Sequence, residues 1–196
     1  MAAFTTGSAR FAAALLGLGV MIAGAYTLSV REDTHIDIRA GSQHVGTGEL
    51  ARVERVVDGD TIIVQRSGTT ATERVRLIGI DTPELGHGKA PDECFANEAT
   101  EILRALLPEG TEVELRPDPT QLQVDKYDRL LRHVHDTETG TNIVLALVEK
   151  GAGSEYTYDK PYTGQPEYQA AEANAQSQAT GYWGGCPNNL NPRRTP

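Results

Sequence analysis

The chain has 196 residues, of which 39% are hydrophobic and 23% charged, and its formal net charge is −9. This composition is typical of one globular domain with extensions, and it excludes collagen-like and coiled-coil proteins. The acidic balance also argues against a protein that binds nucleic acid mainly through bulk positive charge. Any contact with a polyanion would therefore need local basic residues and a bridging cation.

The N-terminal segment predicts export. Residues 11–25 are uncharged and apolar, and they end in Ala23-Gly24-Ala25, a small-residue cleavage pattern. We therefore predict a signal peptide over residues 1–25 and a secreted protein. The alternative is a membrane anchor that extends to Val30, because the apolar run can be stretched to the length of a bilayer span. Both interpretations place the folded part outside the cytoplasm.

Two cysteines, Cys94 and Cys186, agree with export. An even number of cysteines in an exported chain usually pairs, so we expect a disulfide between them. Zinc binding is not expected, since the chain has no C-x-x-C motif and its histidines lack zinc-site spacing. The histidines are His35, His44, His87, His133 and His135. We interpret His133 and His135 as solvated residues of one strand.

The periodicity predicts an α+β fold. Strand-length runs rich in β-branched residues occur at residues 51–57, 61–65, 73–80, 112–115 and 130–135. Helices are expected at residues 97–107, 143–150 (capped by Asn142) and 168–180. Residues 26–49 are predicted to be a linker, 50–186 the folded domain and 187–196 an extended tail. A small closed barrel of the five strands would leave no sheet edge.

Four acidic residues lie at predicted strand ends or turns: Asp58, Asp60, Asp81 and Glu84. Carboxylates that converge there would need a cation, and oxygen ligands favour a hard ion such as calcium over zinc or copper. The alternative for Asp58-Gly59-Asp60 is a hairpin turn with solvated aspartates. For Asp81 it is a strand end imposed by Pro83.

Two arginines could bind an anion beside these acids. Arg76 lies in an otherwise apolar strand, and arginine is rarely buried unless it meets a carboxylate or a phosphate. An inward-pointing Arg76 would match phosphate oxygens with its planar guanidinium. The alternative is an ion pair with Glu73 or with an acid at the end of the barrel. Arg129 opens the last predicted strand, and alone it would be an ordinary surface residue.

Together these segments resemble the staphylococcal nuclease (thermonuclease) family. The resemblance lies in VVDGDT at residues 56–61, VRLIGIDTPE at residues 75–84 and DKYDR at residues 125–129, in the same order and spacing. It extends through the Asn142 helix, the pair Tyr156 and Tyr158, and Gly181-Tyr182-Trp183. The resemblance implies a five-stranded OB-type barrel and a calcium-dependent enzyme that cuts DNA and RNA without reading bases.

The resemblance also implies roles for individual residues. Calcium would be bound by Asp60, Asp81 and the backbone carbonyl of Thr82. Glu84 would be the general base or orient the attacking water, and Arg76 and Arg129 would bind the phosphate. Displacement of the 5′ oxygen would leave a 3′-phosphate. Residues expected near the nucleotide are Lys126, Tyr127, Tyr156 and Tyr158, with ordinary surface or packing roles as the alternative.

Three departures from the family pattern bear on substrate binding. Asp128 stands where the family usually has glycine, which puts a charge beside Arg129. The chain is acidic where the best-known member is basic, and the loop at residues 85–94 has only Lys89 as a cation besides His87. The leading hypothesis is a monomeric, secreted nuclease. The alternative is an envelope-associated barrel that binds nucleic acid or protein without cutting, although such modules typically lose these acids and arginines.

Overall fold

The computed structural model of the protein describes residues 48–186. The predicted signal peptide or anchor, the predicted linker as far as residue 47 and the predicted tail at residues 187–196 lie outside the described residues. Within the described range, no helix combines the length and the apolar character needed to cross a bilayer.

The elements follow the chain in an order close to the predicted one. They are β1 (Glu49–Val56), β2 (Thr61–Arg66), β3 (Thr72–Leu77), β4 (Ile80–Asp81), α1 (Ala96–Leu106), β5 (Glu112–Arg116), β6 (Leu130–Asp136), α2 (Ile143–Glu149), β7 (Ser154–Glu155), α3 (Gln165–Ser177) and α4 (Tyr182–Gly185). Five strands close into a barrel in the order β1-β2-β3-β6-β5. All neighbours are antiparallel except β3 and β6, which are parallel. The predicted α+β fold with a five-stranded barrel is confirmed.

The barrel interior is filled by alternate residues of each strand. In β3, Val75 and Leu77 are buried, whereas Arg74, which precedes Val75, is exposed. This alternation follows from the two-residue period of a strand, and the β-branched side chains that predicted the strands also form the core. Helices α1, α2 and α3 contribute further buried residues, so the core continues beyond the barrel.

The predicted third strand, residues 73–80, is wrong at its end. β3 stops at Leu77, and Gly79 adopts a left-handed backbone with φ +94°. A Cβ at Gly79 would lie 2.7 Å from the ring of Tyr168 and 2.8 Å from that of Tyr162. The chain therefore turns at Gly79, and Ile80–Asp81 pair with Ser154–Glu155 in a separate two-stranded sheet.

The helix predictions differ from the structure mainly near the C-terminus. The side chain of Asn142 accepts a hydrogen bond from the amide of Leu145 (3.2 Å), which confirms the predicted cap of α2. α3 begins at Gln165 and ends at Ser177, three residues before each predicted boundary. Pro166 is compatible with this early start because a helix needs no amide donor in its first turn. The short helix α4 was not predicted.

The predicted disulfide between Cys94 and Cys186 is present. It connects the segment that precedes α1 with the residue that follows α4, 92 positions further along the chain. Closing a loop of this length stabilises a protein by on the order of 4 kcal/mol in the chain-entropy model. The C-terminal helix is thus held covalently to the start of α1.

His133 is not the solvated strand residue that we predicted. It is 7% exposed, its Nε2 lies 3.0 Å from Oδ2 of Asp118, and the rings of Tyr162 and Tyr168 pack beside it. Asp118 is 1% exposed and also accepts a hydrogen bond from the amide of Thr163 (2.7 Å). The prediction failed because residues distant in sequence cover this outer strand position.

The Asp118 carboxylate is stabilised in its charged form. Burial alone would raise its pKa, but hydrogen bonds from His133, Thr120 and Thr163 outweigh burial and hold the pKa of Asp118 well below its usual range. A group with a lowered pKa stabilises the fold above its ordinary pKa of about 3.9, and this contribution is lost as pH falls through the lower folded value.

We therefore expect Asp118→Asn to lower the free energy of unfolding at neutral pH by about 1–3 kcal/mol. The difference between the variant and wild type should shrink as pH falls below about 4, because wild type then loses the same contribution. Urea denaturation at a series of pH values measures both effects. Asp159→Asn at an exposed position serves as the control. A difference that stays constant across the acid range would contradict the assignment.

Candidate functional site

Arg76 lies at the centre of the candidate site. Its neighbours Val75 and Leu77 point into the barrel, so Arg76 points outward, and the expectation of an inward-pointing arginine is wrong. Its side chain is nevertheless only 12% exposed. The burial arises because the segment after β3 turns back over the outer face of the strand and covers the guanidinium.

The guanidinium of Arg76 is held on two sides. Nη1 donates to the backbone carbonyls of Leu77 and Ile80, both at 2.8 Å. Nη2 lies 3.0 Å from Oδ2 of Asp60 and 3.3 Å from Oδ1 of Asp81. Of the two ion-pair alternatives for Arg76, the acids at the end of the barrel are therefore the partners. Glu73 pairs with Arg66 instead.

The predicted convergence of Asp60, Asp81 and Thr82 is present. The carboxylate of Asp60 accepts hydrogen bonds from the amide (3.2 Å) and the hydroxyl (3.3 Å) of Thr82. Asp60 is the last residue of the turn between β1 and β2, whereas Asp81 is fixed by the pairing of β4 with β7. Both carboxylates are almost fully buried, with side chains 5% and 2% exposed.

Asp58 takes part in a hairpin turn and also lies near the other acids, so it agrees with both interpretations given for Asp58-Gly59-Asp60. Its carboxylate accepts a hydrogen bond from the amide of Asp60 (3.1 Å), as expected in a hairpin turn. Burial, with the negative charges of Asp60 and Glu84, raises the pKa of Asp58 to about 6, while the hydrogen bond from the Asp60 amide and the charge of Arg76 oppose the rise. The acids are therefore close enough to create an excess of negative potential.

Glu84 is half-buried on the segment that follows Thr82. Its amide donates to Oε2 of Glu93 (2.8 Å), and its carbonyl accepts from the amide of Glu93 (2.9 Å). These two hydrogen bonds close the loop between the two glutamates. The backbone position of Glu84 is thus fixed relative to Cys94 and the start of α1.

The side chains beside Arg76 offer oxygen donors. Among residues 48–186, no group of three or more histidine, cysteine, aspartate or glutamate side chains could hold a metal ion. Asp60 and Asp81 are two carboxylates that share one guanidinium, which leaves one negative charge, and the remaining ligands would have to be backbone oxygens and water. Calcium accepts such a set, whereas zinc prefers nitrogen and sulfur.

Arg129 is held by a compact turn. Its Nε donates to Oδ2 of Asp125 (2.7 Å), and its amide donates to Oδ1 of the same residue (3.0 Å). These hydrogen bonds outweigh burial and keep the pKa of Asp125 below its usual value. Asp128 is exposed and left-handed, with φ +60°. Aspartate tolerates this conformation, so Asp128 can occupy the position that usually belongs to glycine.

The four predicted nucleotide-binding residues lie in two groups. In the first, Nζ of Lys126 lies 5.0 Å from the ring centroid of Tyr127, which is 57% exposed. In the second, the rings of Tyr156 and Tyr158 are 6.4 Å apart, and Tyr158 is 74% exposed. The amide of Tyr156 donates to the carbonyl of Gly79 (3.2 Å), so this group is attached to the turn beside Arg76.

Two residues that support the site were not predicted from the sequence. Arg74 donates from Nη2 to the carbonyl of Tyr127 (2.9 Å), and the signal that could have indicated it is its spacing of two from Arg76 on a strand. Glu93 closes the loop at Glu84. No local pattern indicates this contact, because it depends on how the intervening residues fold.

The closed barrel and the site on its outer face define an OB-fold protein. The family described as "Staphylococcal nuclease homologue" matches residues 74–185. The chain belongs to this family.

Several curated relatives are similar to this chain. A thermonuclease of Staphylococcus intermedius is 37% identical over 99 residues, which cover 50% of this chain and 56% of the relative. A thermonuclease of Staphylococcus hyicus is 27% identical over 168 residues, 85% of this chain and 95% of the relative. A prophage-derived endonuclease of Bacillus subtilis is 31% identical over 135 residues, 67% of this chain and 43% of the relative.

Gly59 allows the turn of Asp58 and Asp60 to approach Thr82. A Cβ at position 59 would lie 2.8 Å from Cβ of Thr82 and 3.0 Å from that of Ala99. We expect Gly59→Ala to lower the free energy of unfolding by about 1–3 kcal/mol, because neither neighbour can rotate away. Thermal and urea unfolding measure this loss.

Gly185→Ala is a matched control for Gly59→Ala. A Cβ at Gly185 would meet the ring of Phe95 at 3.6 Å, an ordinary contact distance. Its stability should stay close to that of wild type. If both variants were equally stable, the close packing of the turn against Thr82 would not constrain the site.

Proposed function

We propose that the protein is an exported, calcium-dependent nuclease that hydrolyses phosphodiester bonds of DNA and RNA with little sequence specificity and leaves 3′-phosphate ends. The observation that carries the proposal is the position of Arg76 between Asp60 and Asp81. A guanidinium next to two buried carboxylates offers one binding surface for phosphate oxygens and another for a cation. Family membership supports the same reaction class.

Asp60, Asp81 and the backbone carbonyl of Thr82 would hold calcium. When bound there, calcium would offset the negative charge of the carboxylates and of the substrate phosphate. Burial is the main cause of the raised pKa of Asp58, and the negative charges of Asp60 and Glu84 add to it, which a cation beside them would offset. Each of the three proposed positions would offer an oxygen atom, which favours calcium over softer metals.

The arginines would bind and stabilise the reacting phosphate. Arg76 has a side chain that is 12% exposed, so its interaction with a phosphate oxygen would be screened little by water. Arg129 is pre-oriented by Asp125, which lowers the conformational cost of binding. Both positive charges would offset the charge that builds on the phosphate oxygens in the transition state.

Glu84 would orient the attacking water and accept its proton. The water oxygen would form a bond to phosphorus while the bond to the 5′ oxygen breaks and that oxygen takes up a proton from solvent, which leaves a 3′-phosphate and a 5′-hydroxyl. The backbone of Glu84 is hydrogen-bonded to both the side chain and the backbone of Glu93, and these contacts keep the segment of Glu84 in place for this role. Base edges take no part, so the site has no means of reading sequence.

Export is supported by the disulfide between Cys94 and Cys186, because such bonds persist in oxidising compartments. We propose a secreted monomer, with attachment to a membrane only where the N-terminal segment is retained. Exposed Tyr158 and Tyr127 would contact nucleotides beside the phosphate site.

The decisive experiment follows hydrolysis of single-stranded DNA by the purified protein with calcium and with a chelator. We expect cutting that requires calcium, and Glu84→Gln should reduce kcat by about 10²–10⁴-fold because the proton acceptor is lost. Arg76→Lys should also lose activity, since lysine keeps the charge but not the planar fork. Labelled ends identify the product as a 3′-phosphate.

Glu109→Gln is the control for charge removal, because Glu109 is exposed in the turn before β5. Its activity should match wild type. Circular dichroism confirms that every variant is folded. Folded wild type that cuts neither DNA nor RNA with calcium would contradict the proposal and favour a binding module. Cutting that Glu84→Gln leaves intact would contradict the role of Glu84.

A further inference from the structure

Arg74 and Arg76 lie on the same outer face of β3. Residues two apart on a strand point to the same side, and Val75 between them is buried in the barrel. Their Cα atoms are separated by about 7 Å along the strand. Arg76 is covered by the turn that follows β3, whereas Arg74 is exposed.

Arg74 contacts the loop that carries Arg129. Its Nη2 donates to the backbone carbonyl of Tyr127 at 2.9 Å. The side-chain ring of Tyr127 has its centroid 5.0 Å from Nζ of Lys126 and 5.4 Å from Cζ of Arg129. Three cationic side chains therefore meet at one exposed aromatic residue.

This concentration of positive charge is unusual in a chain of net charge −9. Among residues 48–186, Asp125 is the ion-pair partner of Arg129. An anion bound beside these side chains would reduce the repulsion between their positive charges. A polyanion that passes over Tyr127 from the Arg76 site would meet Arg74 and Lys126 next.

We propose that Arg74 binds the phosphate adjacent to the scissile one on a nucleic-acid strand, which extends the site beyond a single phosphodiester. This inference rests on the proposed function, since the scissile phosphate is assigned to Arg76 and Arg129. Arg74 thus favours substrates with several phosphates over a dinucleotide. Its hydrogen bond to Tyr127 orients the guanidinium toward the loop and lowers the cost of binding.

The competing explanation is that Arg74 only braces the Tyr127 loop. If Arg74 only held the loop in place, its removal would lower kcat/KM equally for every substrate, because Arg129 on the same loop would contact the scissile phosphate in all of them. A phosphate-binding residue would affect only substrates that reach it. The two explanations therefore differ in how the loss depends on the length of the substrate and on salt.

The test compares Arg74→Ala, Arg74→Lys and wild type on a dinucleotide with one phosphodiester and on an oligothymidylate of about twelve nucleotides. For Arg74→Ala we expect the ratio of kcat/KM between the oligomer and the dinucleotide to fall about tenfold. The slope of log kcat/KM against log salt for the oligomer should weaken by roughly 0.7. Arg74→Lys should recover most of the slope because it keeps the charge.

Arg52→Ala is the matched control. Arg52 is an exposed arginine on β1 that pairs with Glu112, and its removal changes the net charge by the same amount. Arg52→Ala should leave the ratio of kcat/KM between the oligomer and the dinucleotide, and the salt dependence of kcat/KM for the oligomer, at their wild-type values. Equal losses on both substrates for Arg74→Ala, or no loss on either, would overturn the proposal.

A binding measurement separates this inference from the proposed function. Fluorescence anisotropy of a labelled oligothymidylate reports affinity whether or not the strand is cut. If wild type binds but does not cut, the proposed function fails, whereas a weaker and less salt-dependent affinity of Arg74→Ala still supports the phosphate contact. Equal affinities of the two proteins would overturn the role of Arg74.

Discussion

The structure of the site depends on how the guanidinium of Arg76 is satisfied. Two carbonyls and two carboxylates surround it, from the end of β3, the residue before β2 and both residues of β4. Removal of one partner from such a buried set typically costs about 3–5 kcal/mol, because the remaining charges lose their compensation. These partners bring segments that are distant in the sequence together around one guanidinium.

Contacts outside the barrel hold the turn over Arg76. The carbonyl of Gly79 accepts hydrogen bonds from the hydroxyl of Tyr162 (3.3 Å) and the amide of Tyr156 (3.2 Å). On the other side, Glu93 closes the loop after Glu84 and is followed directly by the disulfide residue Cys94. The barrel supplies a rigid base, and these attachments fix the chemically important segments on it.

Much of the fold and the membership of the site could be predicted from the sequence. Alternating β-branched residues indicated five strands, and Asp60, Asp81 and Arg76 do converge as their motifs implied. The alternation of Val75 and Leu77 already indicates that Arg76 points outward, but its burial could not be predicted, because it depends on the turn at Gly79 that ends β3 early and covers the guanidinium. His133 was misjudged for a related reason, since Asp118 and the tyrosines that bury it come from distant parts of the chain. Local periodicity reports strand and helix faces but not what later covers them.

The proposed mechanism depends on calcium binding by Asp60 and Asp81 next to Arg76. Titration calorimetry of calcium into wild type and Asp60→Asn measures this binding without any substrate. We expect one calcium per wild-type chain and a loss of at least about tenfold in affinity in the variant, since a charged ligand is removed. Absence of calcium binding by folded wild type, or equal affinity in both proteins, would contradict it.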